Sequence, residues 1–115
     1  MEIKRYEQTG RMSRIVVYNN TIYLCGQTCG DINKDVKDQT KAVLEKIEEL
    51  LAKVGSDKTK ILSTTIYLKD ISLFDDMNSV WDAWVAKGFE PARACVEAKM
   101  AKPEILVEMT VIAAI

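Results

Sequence analysis

Two short apolar runs, Ile15-Val16-Val17 and Ile22-Tyr23-Leu24-Cys25, stand early in the chain with Tyr18-Asn19-Asn20-Thr21 between them. β-Branched and aromatic residues in runs of this length predict strands, and asparagine tolerates the positive φ that a tight hairpin turn demands. Gly26 ends the second run, and residues 3–6 offer a further edge strand. From about Asp35 the period changes. Val36, Val43, Ile47, Leu50, Leu51 and Val54 fall on one helical stripe with lysines and glutamates between them. Gly55 stands where the end of that helix calls for a left-handed residue. Residues 60–68 return to strand character through Thr64-Thr65-Ile66-Tyr67. Phe74, Met77, Trp81, Trp84 and Val85 then repeat at helical spacing, and Gly88 and Pro91 close that helix, because the residue before a proline is pushed out of the α region. Strands over 92–98 and 105–115 follow, with Pro103 in the connection.

The predicted order is β-β-α-β-α-β-β in a single domain over residues 1–115. This is an α+β fold with a mixed sheet and both helices on one face. The last strand is apolar on both sides: Ile105, Val107, Met109 and Val111 alternate with Leu106, Ile112 and Ala114. A sheet that is apolar on two faces but clad on one needs another cover, and a second copy of the chain is the simplest. The pattern therefore predicts a homo-oligomer.

Composition narrows the function. Sixteen basic against seventeen acidic residues give a net charge of −1, and no basic stripe stands out, which argues against a nucleic-acid surface. Met1-Glu2-Ile3-Lys4-Arg5 is charged and lacks the apolar core of a signal peptide. No apolar run nears the ~20 residues that span a bilayer. A cytoplasmic protein without a membrane partner is expected, its three cysteines reduced. The chain has no histidine, which removes the usual general base, the commonest metal ligand and every Ser/His or Cys/His pair. Cys25 and Cys29 are spaced C-x-x-x-C with no further ligands beside them, so structural thiols and no metal are expected. Trp81 and Trp84 read as core or interface residues.

Glu108 is the only charged residue between Ile105 and Ile115. A carboxylate in such a strand is costly unless it is paired, hydrogen-bonded or facing a wet pocket. Arg93 lies one residue into the preceding strand, with Ala92 and Ala94 around it and Cys95 on its own side. If those two strands pair as a hairpin, both groups lie near the same end of the ladder and can face a common cleft. Two readings remain open. One is an internal salt bridge that fixes register; the other is an arginine fork gripping a substrate carboxylate while the glutamate orients a water. The two alanines leave room beside the guanidinium, as the second reading requires.

Pro91-Ala92-Arg93-Ala94-Cys95-Val96-Glu97, followed by the strand carrying Glu108, resembles the C-terminal signature of the RidA/YjgF family. Cys25-Gly26-Gln27 is similar to the Ser-Gly-Gln segment of that family, and Leu68-Lys69-Asp70, Phe74 and Met77-Asn78 are similar to its third strand and second helix. Trp81-Asp82-Ala83-Trp84 and Gly10-Arg11-Met12-Ser13 resemble a divergent, YoaB-like branch. The resemblance covers essentially the whole chain. It implies a fold like that of AroH-type chorismate mutase, assembled as a homotrimer with a barrel-like core and three clefts between subunits. It also implies hydrolysis of small 2-imino or enamine acids to 2-oxo acids and ammonia, with no metal or organic cofactor.

By the same resemblance, Arg93 binds the substrate carboxylate, Glu108 holds the attacking water, Cys95 lends its backbone, and Cys25, Gly26 and Asn78 line the cleft. Where the family carries Gly-Pro-Tyr, this chain carries Gly10-Arg11-Met12. The tyrosine that closes the pocket is thus absent, and Arg11 is expected to reshape or charge it. Ala94 replaces a serine, and Ala101-Lys102 replaces the usual Leu-Pro. The rival function is a non-catalytic module that binds a small carboxylate such as a 2-oxo acid. Ribonuclease activity, reported for some relatives, sits poorly with a chain that lacks histidine and a basic groove.

Overall fold

The computed structural model describes residues 1–31 and 33–115. The helical stripe after Asp35 becomes α1, Val36–Lys53, whose N-terminus is capped by the Asp35 carboxylate accepting from the Asp38 amide at 2.9 Å. Gly55, at φ 79°, takes the left-handed position after it. The Gly55 and Ser56 amides donate to the Ala52 and Leu51 carbonyls, closing off the helix end. A second helix, α2, covers Phe74–Trp84 and ends with Val85, short of the predicted Gly88.

Seven strands accompany them among the described residues. β1 (Lys4–Gln8) is the edge strand suggested near the N-terminus. β2 (Ser13–Tyr18) and β3 (Thr21–Leu24) form the expected hairpin, with Asn19 and Asn20 both at positive φ as a type I′ turn requires. β4 is the two-residue strand Gln27–Thr28, and β5 (Ile61–Leu68), β6 (Ala92–Glu97) and β7 (Val107–Ala114) complete the set. The sheet order is β1-β2-β3-β7-β5-β6, with β4 also on β7. Every pairing is antiparallel except β5–β6.

Here the hairpin expectation fails. β6 and β7 do not touch, because β5 lies between them: β6 runs parallel to β5 after the α2 crossover, and β7 occupies the slot between β3 and β5. A strand that follows a helical crossover returns parallel to the one it left.

Both helices lie on one face, as predicted. Leu44, Ile47 and Leu51 of α1 and Met77 and Trp81 of α2 pack on Ile15, Ile22, Ile66, Leu68, Val107 and Met109. The molecule is a slab of 43 × 37 × 20 Å, the thickness of one sheet and one helical layer. The other face, with Ala92, Ala94, Val96, Thr110 and Ile112 among its residues, has no cover within the chain. One polar side chain is built into the core. Gln39, 1% exposed, donates to the Lys34 and Glu104 carbonyls and accepts from the Leu106 amide, each at 3.0 Å. It fastens the segment entering β7 to α1. Among the described residues no helix is long and apolar enough to cross a membrane.

Candidate functional site

Residues paired across a ladder share a face, so register assigns each side chain a side. Arg93 is level with Thr64, and Thr64 with the buried Val111, which places Arg93 on the helix-bearing side together with Cys95 and Glu97. Glu108 alternates with the buried Val107 and Met109, so it points to the open side, level with Tyr67. The two candidate groups therefore lie on opposite faces of one sheet, with β5 between their strands. No ion pair joins them; the one ion pair among the described residues is Lys53–Glu7. The register-fixing salt bridge is thereby removed as a reading.

Around Arg93 the helix supplies a cage. Its Nη1 donates to Asn78 Oδ1 at 2.7 Å, and its guanidinium carbon lies 5.3 Å from the Trp81 ring centre and 5.9 Å from that of Phe74. Two ring faces and one amide oxygen hold the guanidinium while most of its N–H groups remain uncommitted. Residues 74, 78 and 81 are spaced i, i+4, i+7, so a single helical face delivers all three. That spacing is readable in the sequence, which by itself marks Trp81 only as a core or interface residue.

Cys95 follows on the same face, half-buried, and burial pushes its thiol up, with the nearby Arg93 charge working weakly the other way. A raised thiol stays protonated through neutral pH and is a poor nucleophile. Cys95 is expected to alkylate with iodoacetamide several-fold more slowly than free cysteine at pH 7.5. The rate should still be climbing at pH values where free cysteine has levelled off. Site-resolved mass spectrometry across a pH series checks this, and a plateau reached below that of free cysteine would contradict it.

A second cluster forms on the open side. β4 pairs with β7 so that Thr28 is level with Glu108, bringing the preceding Cys25-Gly26 loop against the carboxylate. The fit is close: a Cβ built on Gly26 would overlap a Glu108 carboxylate oxygen and lie 3.1 Å from Cδ. The buried Gln27 amide steadies the loop by donating to the Cys25 carbonyl at 3.0 Å and to its Sγ at 3.2 Å. Glu108 opens on a cleft of about 300 Å³ shared with Tyr67, Met100 and Thr110. On the other side of Gly26 lies a cleft of about 370 Å³, lined by Thr9, Met12, Arg14, Cys25 and Lys46 among others.

The structure thus gathers the sequence-predicted residues into two groups: Arg93, Cys95 and Asn78 on one face, and Glu108, Gly26 and Cys25 on the other. Arg11 joins neither. It is exposed in the turn before β2, and its neighbours Met12 and Arg14 line the cleft beside Gly26 instead. Tyr67 and Arg14 were not singled out from sequence; only the ladder register puts them beside Glu108 and Cys25. A further groove, about 620 Å³, runs between α1 and α2 and contains none of the predicted residues. Neither group is a complete site for a substrate carboxylate and its attacking water.

Comparison with known proteins places these features. The family described as Endoribonuclease L-PSP matches residues 2–115. A RutC family protein of Haemophilus ducreyi is 42% identical over 113 residues, covering 98% of this chain and 97% of that one. The RutC family protein YoaB of Escherichia coli K12 is 39% identical over 115 residues, the whole of both chains. Among solved structures, NMB1025 from Neisseria meningitidis, described as a member of the YjgF protein family, is 44% identical with a TM-score of 0.96, over 99% of this chain and 95% of that one.

Proposed function

This chain belongs to the RidA/YjgF family, in its YoaB-like branch, and from that membership we propose that it hydrolyses small 2-imino and enamine acids in clefts between copies of the chain. One observation carries the reading: Arg93 and Glu108 each stand in an incomplete site on opposite faces of the sheet. A substrate held by one and hydrated by the other needs two copies. The uncovered face, rich in alanine, threonine and aliphatic residues, is where a second copy would pack. A homotrimer with three such clefts, in the cytoplasm, is the assembly that the family resemblance implies.

In this site Arg93 grips the substrate carboxylate bidentately, with Asn78, Trp81 and Phe74 fixing the plane of its fork. Glu108, pressed against Gly26, orients the water. The iminium carbon is already electrophilic. Water adds to it, a proton passes to nitrogen, and the C–N bond breaks to leave the 2-oxo acid and ammonium. Positioning and a carboxylate-held water supply the acceleration, so the reaction proceeds without histidine. The backbone at Cys95 and the Cys25-Gly26 segment complete the lining.

A coupled assay tests this. A pyridoxal-phosphate lyase generates the imine, and semicarbazide traps whatever is not hydrolysed. The purified protein should speed 2-oxo acid formation over buffer; equal rates would exclude hydrolysis. Met12 in place of the family tyrosine favours the second reading, a sensor that binds 2-oxo acids without turnover. Saturable binding of 2-oxobutanoate with no acceleration would select it.

Gly26→Ala gives a sharper check. Gly26 is not at positive φ, so alanine suits its backbone, but the new methyl must displace the Glu108 carboxylate. Shifting a catalytic group by about 1 Å costs on the order of 100-fold in rate. The expected result is a fall in kcat/KM of about 10- to 100-fold at nearly unchanged Tm. Full activity would detach Glu108 from the chemistry.

A further inference from the structure

The cleft on the far side of Gly26 carries charge that the proposed reaction leaves unused. Two cations line it, Arg14 and Lys46, and no carboxylate is among its lining residues. Lys46 is held in place: its Nζ donates to the Thr28 carbonyl at 2.7 Å. Arg14 has lost the partner that a ladder would give it. Glu7 lies opposite it in the β1–β2 pairing, between Tyr6↔Ile15 and Gln8↔Ser13. Yet Glu7 takes a left-handed φ of 54°, and its carboxylate pairs with Lys53 of α1 at 2.6 Å. A non-glycine residue at such a φ is uncommon and costly, and here it accompanies a carboxylate drawn toward α1 rather than toward Arg14. Arg14 alternates with the buried Ile15, so it takes the side away from the helices, as Glu108 does.

We propose that this cleft binds a second anionic group, so that the preferred substrates are 2-imino acids whose side chain ends in a carboxylate. The inference rests on the hydrolytic reading and names its substrate class. Gly26 lines this cleft and also meets the Glu108 carboxylate, so Arg14 and Lys46 stand across one glycine from the oriented water. A space of about 370 Å³ holds one or two methylenes and a carboxylate. Met12 has no polar group to offer such a ligand, and Arg14 and Lys46 are the only formally charged side chains among the described residues that line it.

Two measurements on the assembled protein separate the inference from the reading beneath it. Calorimetry compares 2-oxoglutarate with 2-oxobutanoate as probes. The coupled assay compares imines generated by an amino-acid oxidase from glutamate with those from 2-aminobutanoate. Wild type should favour the dicarboxylate about tenfold or more in both Kd and kcat/KM, the scale of one charge-assisted contact. Arg14→Gln should cut that ratio about tenfold, and Arg14→Glu should invert it. An equal ratio in wild type and Arg14→Gln, or no binding of either probe, overturns the inference even if imines are hydrolysed. A preserved, Arg14-dependent binding preference with no turnover of any imine sustains the anion-binding cleft and removes the hydrolytic reading, and the substrate class with it.

Discussion

Two inactive variants, Arg93→Ala and Glu108→Gln, are expected to regain about a quarter of wild-type activity when unfolded and refolded together in equal amounts. In the proposed mechanism each alone would lose a charge-assisted contact to the substrate or its water, a loss of about a hundredfold. The recovery follows from the ladder register. Arg93 and Glu108 stand on opposite faces of the same sheet, so in the proposed assembly one cleft would take the arginine of one copy and the glutamate of its neighbour. In a random mixture half of the copies keep Arg93 and half of their neighbours keep Glu108, which leaves about one cleft in four intact. A site completed within one chain gives no such recovery, and mixtures would stay at the level of the parents. Arg93→Lys is not a conservative control, since an ammonium replaces the planar fork by a point charge and gives up stacking on Trp81 and Phe74.

Gln39→Leu is expected to lower stability by about 3 kcal/mol, with Tm falling roughly 10 °C at fixed protein concentration. Leucine fills much of the volume but offers nothing to the Leu106 amide or to the carbonyls of Lys34 and Glu104. Water can reach the two carbonyls more readily, so the stranded amide dominates the cost. Activity should fall as well, because these bonds fasten the chain two residues before Glu108. Thermal and urea unfolding of matched samples checks the first part, and the coupled assay the second. A Tm within 2 °C of wild type would show that water replaces the amide.

The sequence disclosed most of the elements and little of their arrangement. The α1 stripe, the Asn19-Asn20 turn and the left-handed Gly55 are local signals, fixed by period and by φ, and each stands where expected. β1 is exposed along its whole length, so the sequence showed it only as residues 3–6, and β4, two residues long, carries no alternation to read. The pairing of β6 escaped because adjacency in sequence suggests a hairpin, whereas strand order is decided by where β5 and β7 bury their apolar faces. Arg93 and Glu108 stood out because charge flanked by apolar or small residues in a strand demands a reason. Their opposite facing could not be seen without the register. Gln39 sits on the buried side of α1, and only the partners gathered around it tell it apart from an ordinary surface glutamine.

β7 is the latest strand in the chain and yet lies between β3 and β5. On the ribosome, residues 4–24 and 61–97 emerge as two unjoined ribbons, each offering a bare edge, and nothing can seam them until 107–114 have been delivered. Thr21 then meets Ala114, closing a loop of most of the molecule. Such distant closure makes folding slow and leaves the nascent chain open to pairing with its siblings, so this protein is expected to depend on chaperone protection during synthesis more than a helical bundle of equal length.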